Sequence, residues 1–320
     1  MTFSSKVKNE ILNSNIAVGN ELSMLCGIIL SAGTIVISNK QMSFNIISEN
    51  YSLLLYAKKL IEKIFPQAVV VLPSQKKSSK QRNMLNVDAA SAQNILFELG
   101  ILERDDFGRV SISLIGDSHL TIEREAKLAY LAGTFLGGGS ISIPQDKPNS
   151  GKGGYHMEWS FNSSNQAHAI CNILAEEDIF AKMVERGESY ITYIKGGEKI
   201  STAVALMGAS NSYLTLESQM VDRQMRNLVN RQSNCISANI DKAVSAGLKQ
   251  LDAISAIQST IGLDSLPASL KEIAQIRMEN PEATLSDLVE IMGNTITKSA
   301  INLRLRKLVQ IANELGEAND

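Results

Sequence analysis

Apolar positions along the first third of the chain follow two periods, one typical of helices and one typical of strands. Apolar residues at helical spacing from Phe3 to Leu12 predict a short first helix. The pattern then predicts a helix, two strands, a helix, two strands and a helix. The predicted ranges are 20–31, 34–38, 42–47, 51–65, 68–72, 83–87 and 89–99, with a hairpin turn at Asn39-Lys40 and a buried strand at 68–72.

The second third of the chain repeats this order of elements. Two stretches of similar letters, starting at Leu25 and Leu131, each end a predicted helix and lead into a predicted strand. A repeat at the scale of a domain indicates a duplicated body with pseudo-two-fold symmetry. The predicted ranges are 122–136, 140–143, 155–162, 165–178, 181–186, 190–195 and 198–207.

No strand pattern follows Leu216, and the remaining predicted elements are all helices. Their ranges are 218–230, 238–258, 267–280, 284–292 and 298–315. The segment Thr284-Leu285-Ser286-Asp287 is typical of a capping box, with Asp in place of the usual Glu. Gly293-Asn294 predicts a tight turn, and Thr297 is a suitable N-cap for the last helix. Two helices joined by such a turn are the helix-turn-helix pattern.

The last predicted helix has an apolar stripe and a basic face. The stripe is Ile301, Leu305, Leu308, Ala312 and Leu315, and positions 295–309 hold four cations and no acids. Arg and Asn can bind base edges in the major groove, Ser and Lys can bind phosphates, and Leu can contact a thymine methyl. A solvated helix of a three-helix bundle has the same pattern. The predicted DNA contacts are Thr297, Lys298, Ser299, Asn302, Leu303, Arg304, Arg306 and Lys307.

Two further groups of cations are candidates for phosphate contacts. Arg223 and Arg226 are three residues apart and share a helix face, with Arg231 following. They either grip phosphates or pair with acids of the neighbouring domain, and the sequence leaves both open. The basic segment that contains Lys76, Lys77, Lys80 and Arg82 is interpreted as a solvated loop.

Composition adds bounds rather than a function. The 320 residues suggest two or three domains, and the net charge of −2 neither favours nor excludes nucleic acid, because a local basic patch can lie within a neutral total. Cys26, Cys171 and Cys235 lack metal spacing, so we expect no disulfide and no zinc, and a reducing cytoplasm. The uncharged stretch 22–39 is interpreted as a buried helix followed by a strand, not as a membrane span.

Catalytic motifs are scarce. His119, His156 and His168 are scattered, and no nucleophile elbow, Walker A or dinucleotide fingerprint occurs. The run 151–154 lacks the Ser/Thr and the spacing of a phosphate loop, and it is interpreted as a hairpin tip. We therefore expect no enzyme activity, no metal and no cofactor.

The two repeated stretches, LCGIILSAG at 25–33 and LAGTFLGGG at 131–139, resemble the signature helices of LAGLIDADG homing endonucleases. The resemblance implies two helices packed side by side at the centre of the body. In that family the eighth position is an acid that holds the catalytic metal. Here the eighth positions are Ala32 and Gly138, which have no side-chain oxygen. The pattern predicts that the scaffold is kept and the nuclease chemistry is lost.

The strand predicted at 155–162 alternates strictly between an aromatic and a polar face. Tyr155, Met157, Trp159 and Phe161 share the face expected in the core. The resemblance implies that the opposite face would form a saddle over DNA. That face carries Glu158 and few cations, so DNA binding by the saddle is not favoured.

Other strings are similar to those of the WhiA family of bacterial regulators. They are RNLVNR at 226–231, NC at 234–235, AN at 238–239, IGLDSLP at 261–267, TKS at 297–299 and LRLRK at 303–307. The resemblance covers essentially the whole chain. It implies a DNA-binding transcription factor, tied to sporulation in some bacteria and to cell division and chromosome segregation in others.

The sequence thus predicts an α+β fold with duplicated αββαββα lobes, followed by an all-α helix-turn-helix domain. The predicted domains are residues 1–118, 119–215 and 216–320, with the motif at about 281–314. The expected partners are double-stranded promoter DNA and other transcription or division proteins, in the cytoplasm at the nucleoid and away from membranes. The alternatives are a surviving metal-dependent endonuclease and a division-machinery interaction module with incidental DNA binding.

Overall fold

The structure is a computed structural model that describes residues 2–38, 41–73, 82–113, 118–144 and 154–317. The chain forms two compact units, Met1–Asp222 and Arg223–Asp320, named here the body and the C-terminal unit. Three predicted features lie outside the described residues: the turn Asn39-Lys40, the lysines Lys76, Lys77 and Lys80, and the segment 151–153.

The first lobe of the body follows the predicted order of elements. Asn50 begins its longest helix, because the side-chain oxygen of Asn50 accepts a hydrogen bond from the backbone N–H of Ser52 at 3.1 Å. The strands form one antiparallel sheet in the order β1-β2-β4-β3. The elements are α1 Phe3–Leu12, α2 Glu21–Ala32, β1 Gly33–Ser38, β2 Gln41–Ser48, α3 Tyr51–Ile64, β3 Val70–Val71, β4 Asn83–Val87 and α4 Ala89–Glu98.

A two-stranded ribbon after α4 is absent from the sequence prediction. It consists of β5 Leu102–Arg104 and β6 Val110–Ile112, and a 3₁₀ turn follows at Ser118–Thr121. Three-residue strands that are largely exposed carry no readable alternation of apolar positions. Hydrogen bonds within the turn stabilise the ribbon, since the Asp105 carboxylate accepts hydrogen bonds from the backbone N–H groups of Phe107 and Arg109.

The second lobe has the same topology as the first. Its sheet order is β7-β8-β10-β9, which matches the first lobe strand for strand. The predicted duplication and the predicted α+β fold class are therefore confirmed. The elements are α5 Arg124–Gly138, β7 Gly139–Ser142, β8 His156–Phe161, α6 Ser164–Glu176, β9 Lys182–Arg186, β10 Ser189–Lys195 and α7 Gly197–Leu206.

Helices α2 and α5 lie side by side at the centre of the body. A β-carbon placed on Gly27 would collide with the backbone of Tyr130 and Thr134. A β-carbon placed on Gly133 would collide with the carbonyl oxygen of Met24. Only glycine permits so close an approach of two backbones, which explains why the small residues of the two repeated stretches are needed here.

Two predicted elements differ from the structure. Helix α8, Ser210–Thr260, is continuous where the sequence predicted separate helices at 218–230 and 238–258. The intervening residues 231–237 contain neither Pro nor Gly, so nothing interrupts the backbone hydrogen bonds. The strand predicted as buried at 68–72 is shortened to the two residues of β3, Val70–Val71, and Val71 is 54% exposed. This prediction was wrong because β3 lies at the edge of its sheet, where one side of the strand has no neighbour.

The C-terminal unit is helical and has its own core. After the 3₁₀ turn Leu263–Ser265 it contains α9 Ala268–Glu279, α10 Leu285–Ile291 and α11 Lys298–Glu317. Its centre is a cluster of fully buried side chains supplied by the end of α8 and by all three helices. These residues are Ile254, Ile257, Ile273, Ala274, Leu288, Ile301, Leu305 and Leu308.

Across the described part of the chain, none of the helices combines the length and the apolar character needed to cross a membrane.

Candidate nucleic-acid interface

The start of α10 and the turn between α10 and α11 have the geometry that the sequence predicted. The Thr284 hydroxyl accepts a hydrogen bond from the backbone N–H of Asp287 at 3.3 Å. The Asp287 carboxylate accepts a hydrogen bond from the backbone N–H of Thr284 at 2.8 Å. This reciprocal pair is a complete capping box. Gly293 and Asn294 take positive φ angles of 67° and 58°, which reverse the chain after α10.

Helix α11 begins at a second side-chain cap. The Thr297 hydroxyl accepts a hydrogen bond from the backbone N–H of Ala300 at 3.3 Å. The predicted apolar stripe faces inward: Ile301, Leu305 and Leu308 are fully buried, and Ala312 and Leu315 pack partly buried against the same core. The other faces of α11 are therefore left for solvent or for a ligand.

A buried arginine, Arg277, connects the elements beneath the motif. Its side chain is 3% exposed; Nε donates to the Gln250 side-chain oxygen at 3.0 Å, and Nη1 donates to the carbonyl oxygen of Ala283 at 2.6 Å. Burial lowers the pKa of its guanidinium below the usual value. Arg277 thus ties the end of α8 to the α9–α10 connection. The sequence prediction missed this residue, although its spacing of 3, 4 and 7 from the core residues of α9 was a usable signal.

The predicted DNA contacts lie on the outer surface of α11. Thr297, Lys298, Ser299, Leu303, Arg306 and Lys307 are exposed, whereas Asn302 and Arg304 are half-buried. Leu303 is 71% exposed, so its side chain is available to contact a thymine methyl. The structure brings Ser299, Asn302, Leu303 and Arg306 into one arc of the helix. DNA contact by all eight residues stays a prediction.

The cations of this face are weakly engaged within the protein. Lys298 Nζ donates to the Ser286 hydroxyl at 3.0 Å, and Lys307 Nζ donates to the Gln310 side-chain oxygen at 3.1 Å. A buried guanidinium nitrogen of Arg304 has no hydrogen-bond partner among the described residues. None of these bonds neutralises a charge, so the face keeps its positive potential.

The exposure of the α8 arginines does not decide between binding of phosphates and pairing with acids. Arg223 is half-buried, and Arg226 and Arg231 are exposed. Exposure is compatible with phosphate contacts and with pairing to acids. Their role in binding phosphates stays a prediction.

Ala32 and Gly138, the eighth positions of the two repeated stretches, lie at the ends of α2 and α5. A β-carbon on Gly138 would come within 2.8 Å of the Ser160 carbonyl oxygen, so this backbone has no room for an acidic side chain there. Position 32 carries only a methyl group. Within the described ranges, no group of three or more His, Cys, Asp or Glu side chains could hold a metal ion.

Strand β8 has the two faces that its alternation predicted. Met157, Trp159 and Phe161 are buried, and the Trp159 ring meets the Phe135 ring edge-on at 5.8 Å between centroids. On the opposite face Glu158 lies 3.1 Å from His156. The aromatic face is thus core, as predicted, and the acid of the saddle face is engaged by a neighbour.

Comparison with known proteins gives a family match in each half of the chain. The family model of the WhiA C-terminal HTH domain matches residues 229–312. The family model of the WhiA LAGLIDADG-like domain matches residues 127–226. A relative from Clostridium acetobutylicum is 32% identical, and one from Staphylococcus carnosus is 34% identical; each alignment covers 98% of both chains. Both relatives are named "Probable cell division protein WhiA".

A solved structure supports the fold. The crystal structure of full-length WhiA from Thermatoga maritima matches with a TM-score of 0.57 over 98% of this chain and 99% of that one. Sequence identity between the two is 21%, so the likeness concerns the fold alone.

Proposed function

The chain belongs to the WhiA family, and we propose that it is a non-enzymatic, sequence-specific DNA-binding regulator of transcription. The observation that carries this proposal is α11, a capped helix that buries one stripe and exposes a cationic face. Its N-terminal residues would contact base edges in the major groove, and its lysines would contact phosphates. Arg223, Arg226 and Arg231 are proposed as additional phosphate contacts.

The body is proposed to be a scaffold without nuclease activity. The steric closure at Gly138 and the methyl group at Ala32 support this part of the proposal. Without a carboxylate at either position, the ends of α2 and α5 offer no ligand for Mg²⁺. We propose the limits 1–118 and 119–215 for its two lobes, and 216–320 for the helical region.

The biological setting is part of the same proposal. The names of the relatives support a role in cell division. Roles in sporulation and chromosome segregation, and a location in the cytoplasm at the nucleoid, rest on the family resemblance. Other transcription or division proteins are proposed as further partners.

The experiment that tests DNA binding uses the full chain and duplexes chosen from a genome-wide map of its bound sites. Arg306→Ala should weaken binding to a preferred duplex by about 1–3 kcal/mol, because it removes a base or phosphate contact. Affinity should also fall steeply with salt as counterions are released. Fluorescence anisotropy measures both effects.

Lys249→Ala is the matched control, since Lys249 is an exposed cation of the C-terminal unit that belongs to α8 and not to α11. It should bind as the wild type does. Equal affinity of Arg306→Ala and wild type would remove the assignment of α11 as the recognition helix.

A separate assay addresses the nuclease alternative. The full chain incubated with its bound DNA and Mg²⁺ should produce no specific cleavage. Cleavage that is abolished by Glu158→Gln, the acid of the saddle face, would overturn the non-enzymatic part of the proposal without affecting the DNA-binding part.

A further inference from the structure

A cleft of about 850 Å³ lies in the body where α2 and α5 end. Ser31 and Ala32 of α2 and Leu136 and Gly137 of α5 line one side. This volume lies within the range of about 300–1,000 Å³ typical of small-molecule sites. The other sides are lined by residues of α1, of the β2–α3 connection and of the start of β4, including Lys8, Asn50 and Arg82.

Lys8 is the unusual residue of this cleft. It is half-buried, with Nζ 5.6 Å from the centroid of the Phe135 ring. Burial lowers the pKa of Lys8 to about 8. Lys8 forms no ion pair with any residue that the structure describes. Removing an ammonium from water is unfavourable, and an anion bound beside it would offset that cost.

Further hydrogen-bond donors surround Lys8. Arg82 is exposed at the rim and makes no ion pair within the described ranges. The side-chain oxygen of Asn50 is occupied by the N–H of Ser52, so its amide nitrogen remains as a donor. Ser4, in the first turn of α1, adds a hydroxyl.

Acidic groups are few at this site. Glu49 is the acid among the described lining residues, against the two cations Lys8 and Arg82. The methyl group at Ala32 matters here, because a carboxylate in its place would repel an anion. The residue that leaves this position without a metal ligand also makes the cleft suitable for negative charge.

We propose that this cleft binds the phosphate group of a small hydroxylated phosphate ester, the chemical class of nucleotides and sugar phosphates. Lys8 and Arg82 hold the phosphate through charge-assisted hydrogen bonds. Glu49 accepts hydrogen bonds from hydroxyl or amino groups on the rest of the ligand. The recessed position of Lys8 suits a small ligand better than a duplex. This inference is independent of DNA binding by α11.

Titration calorimetry of the full chain with pyrophosphate and with ADP, in metal-free buffer, tests the proposal. The wild type should bind ADP saturably. Lys8→Met should lose about tenfold or more in affinity, the effect of losing one charge-assisted hydrogen bond, and Arg82→Ala should lose severalfold. Lys6→Met, an exposed lysine of the same helix, should bind as the wild type does.

A second measurement follows Lys8 itself by NMR of labelled lysine side chains. Bound pyrophosphate should raise the pKa of Lys8, because a nearby anion favours the ammonium form. Lys8→Met is expected to fold, since it removes a half-buried charge, and circular dichroism of the variant checks this.

Four outcomes would overturn the proposal. One is the absence of saturable binding of either probe to the wild type. The second is equal affinity in Lys8→Met, and the third is sulfate binding as tightly as ADP. The fourth is Lys8-dependent binding of a short DNA duplex with no binding of ADP, which would assign the cleft to a DNA phosphate instead.

Discussion

Helices α5 and α11 use their surfaces in opposite ways. Helix α5 buries ten of its fifteen residues, whereas α11 buries three of its twenty. Since neighbours surround α5 over most of its length, its likeness to a nuclease helix reflects packing, and few of its side chains are available for chemistry. Helix α11 packs through one apolar stripe, and the rest of its surface faces away from the core. A motif that organises a fold need not be the surface that binds.

The strongest test of this contrast fills the space between α2 and α5. Gly133→Val should destabilise the body by about 3–5 kcal/mol, because the new side chain meets the backbone of Met24, which cannot rotate away. Urea unfolding followed by tryptophan fluorescence measures the loss through Trp159.

Gly154→Ala is the control, as a β-carbon there has no atom within 4 Å. It should leave the free energy of unfolding nearly unchanged. A loss below about 1 kcal/mol for Gly133→Val would show that the helices can separate, and the contrast between α5 and α11 would weaken.

A second test removes the support beneath α11. Arg277→Met should destabilise the C-terminal unit by about 2–4 kcal/mol, because the Ala283 carbonyl and the Gln250 side chain would lose their buried donor. Thermal unfolding by calorimetry measures this change. Lys249→Met, which alters an exposed cation of the same unit, should have little effect; equal losses in both variants would contradict the role of Arg277.

A third test asks whether the half-buried ammonium of Lys8 lowers the stability of the body, an effect not expected of the exposed cations of α11. The folded-state pKa of Lys8, about 8, lies below its unfolded value of 10.5. The unfolded chain therefore binds more protons between these values, and the Lys8 contribution to stability rises with pH from about 8 to about 10.5. Below that window the contribution is constant and unfavourable.

Lys8→Met should consequently stabilise the body at pH 7 by about 1–2 kcal/mol, less than the full shift implies because the ammonium is half-buried. This advantage should shrink at pH 10. Urea unfolding of wild type and variant at both pH values measures the difference, and Lys6→Met controls for the loss of a charge on α1. A variant less stable than wild type at pH 7 would contradict this account of Lys8.

The smallest expected effect concerns the entry to the helix-turn-helix motif. Thr284→Ala should cost about 1 kcal/mol, because it removes the hydroxyl half of the capping box. Thermal unfolding of the C-terminal unit measures it. Thr260→Ala is the matched control, since the Thr260 hydroxyl bonds back to Ala256 within α8 and caps no helix; a larger loss there would sink this reading of Thr284.

Much of the fold was predictable because its signals are local. The capping box at Thr284, the stripe through Ile301 and Leu305, and the alternation around Trp159 each depend on residues a few positions apart. The errors have local causes too. Residues 231–237 are polar but contain no helix breaker, and the apolar run at 68–72 could not disclose that β3 lies at the edge of a sheet.

The candidate site divides in the same way. Periodicity placed Arg306 and Lys307 away from the apolar stripe of α11, and both are exposed, whereas Arg304, at the border of the stripe, is half-buried. It could not find Arg277, whose partners Gln250 and Ala283 come from other elements. Nor could it find the cleft around Lys8, where residues of α1 and α2 meet the end of α5, more than a hundred positions further along the chain.

The sequence by itself determined most of the order of the elements, the duplication, and the absence of acids at positions 32 and 138. These properties are written in spacing and residue type. Only the tertiary structure decided that Gly138 has no room for a side chain, that Arg277 is buried, and that Lys8 lies in a cleft without an ionic partner among the described residues. Such properties depend on distances between residues remote in the chain, and burial and electrostatic energy depend on those distances.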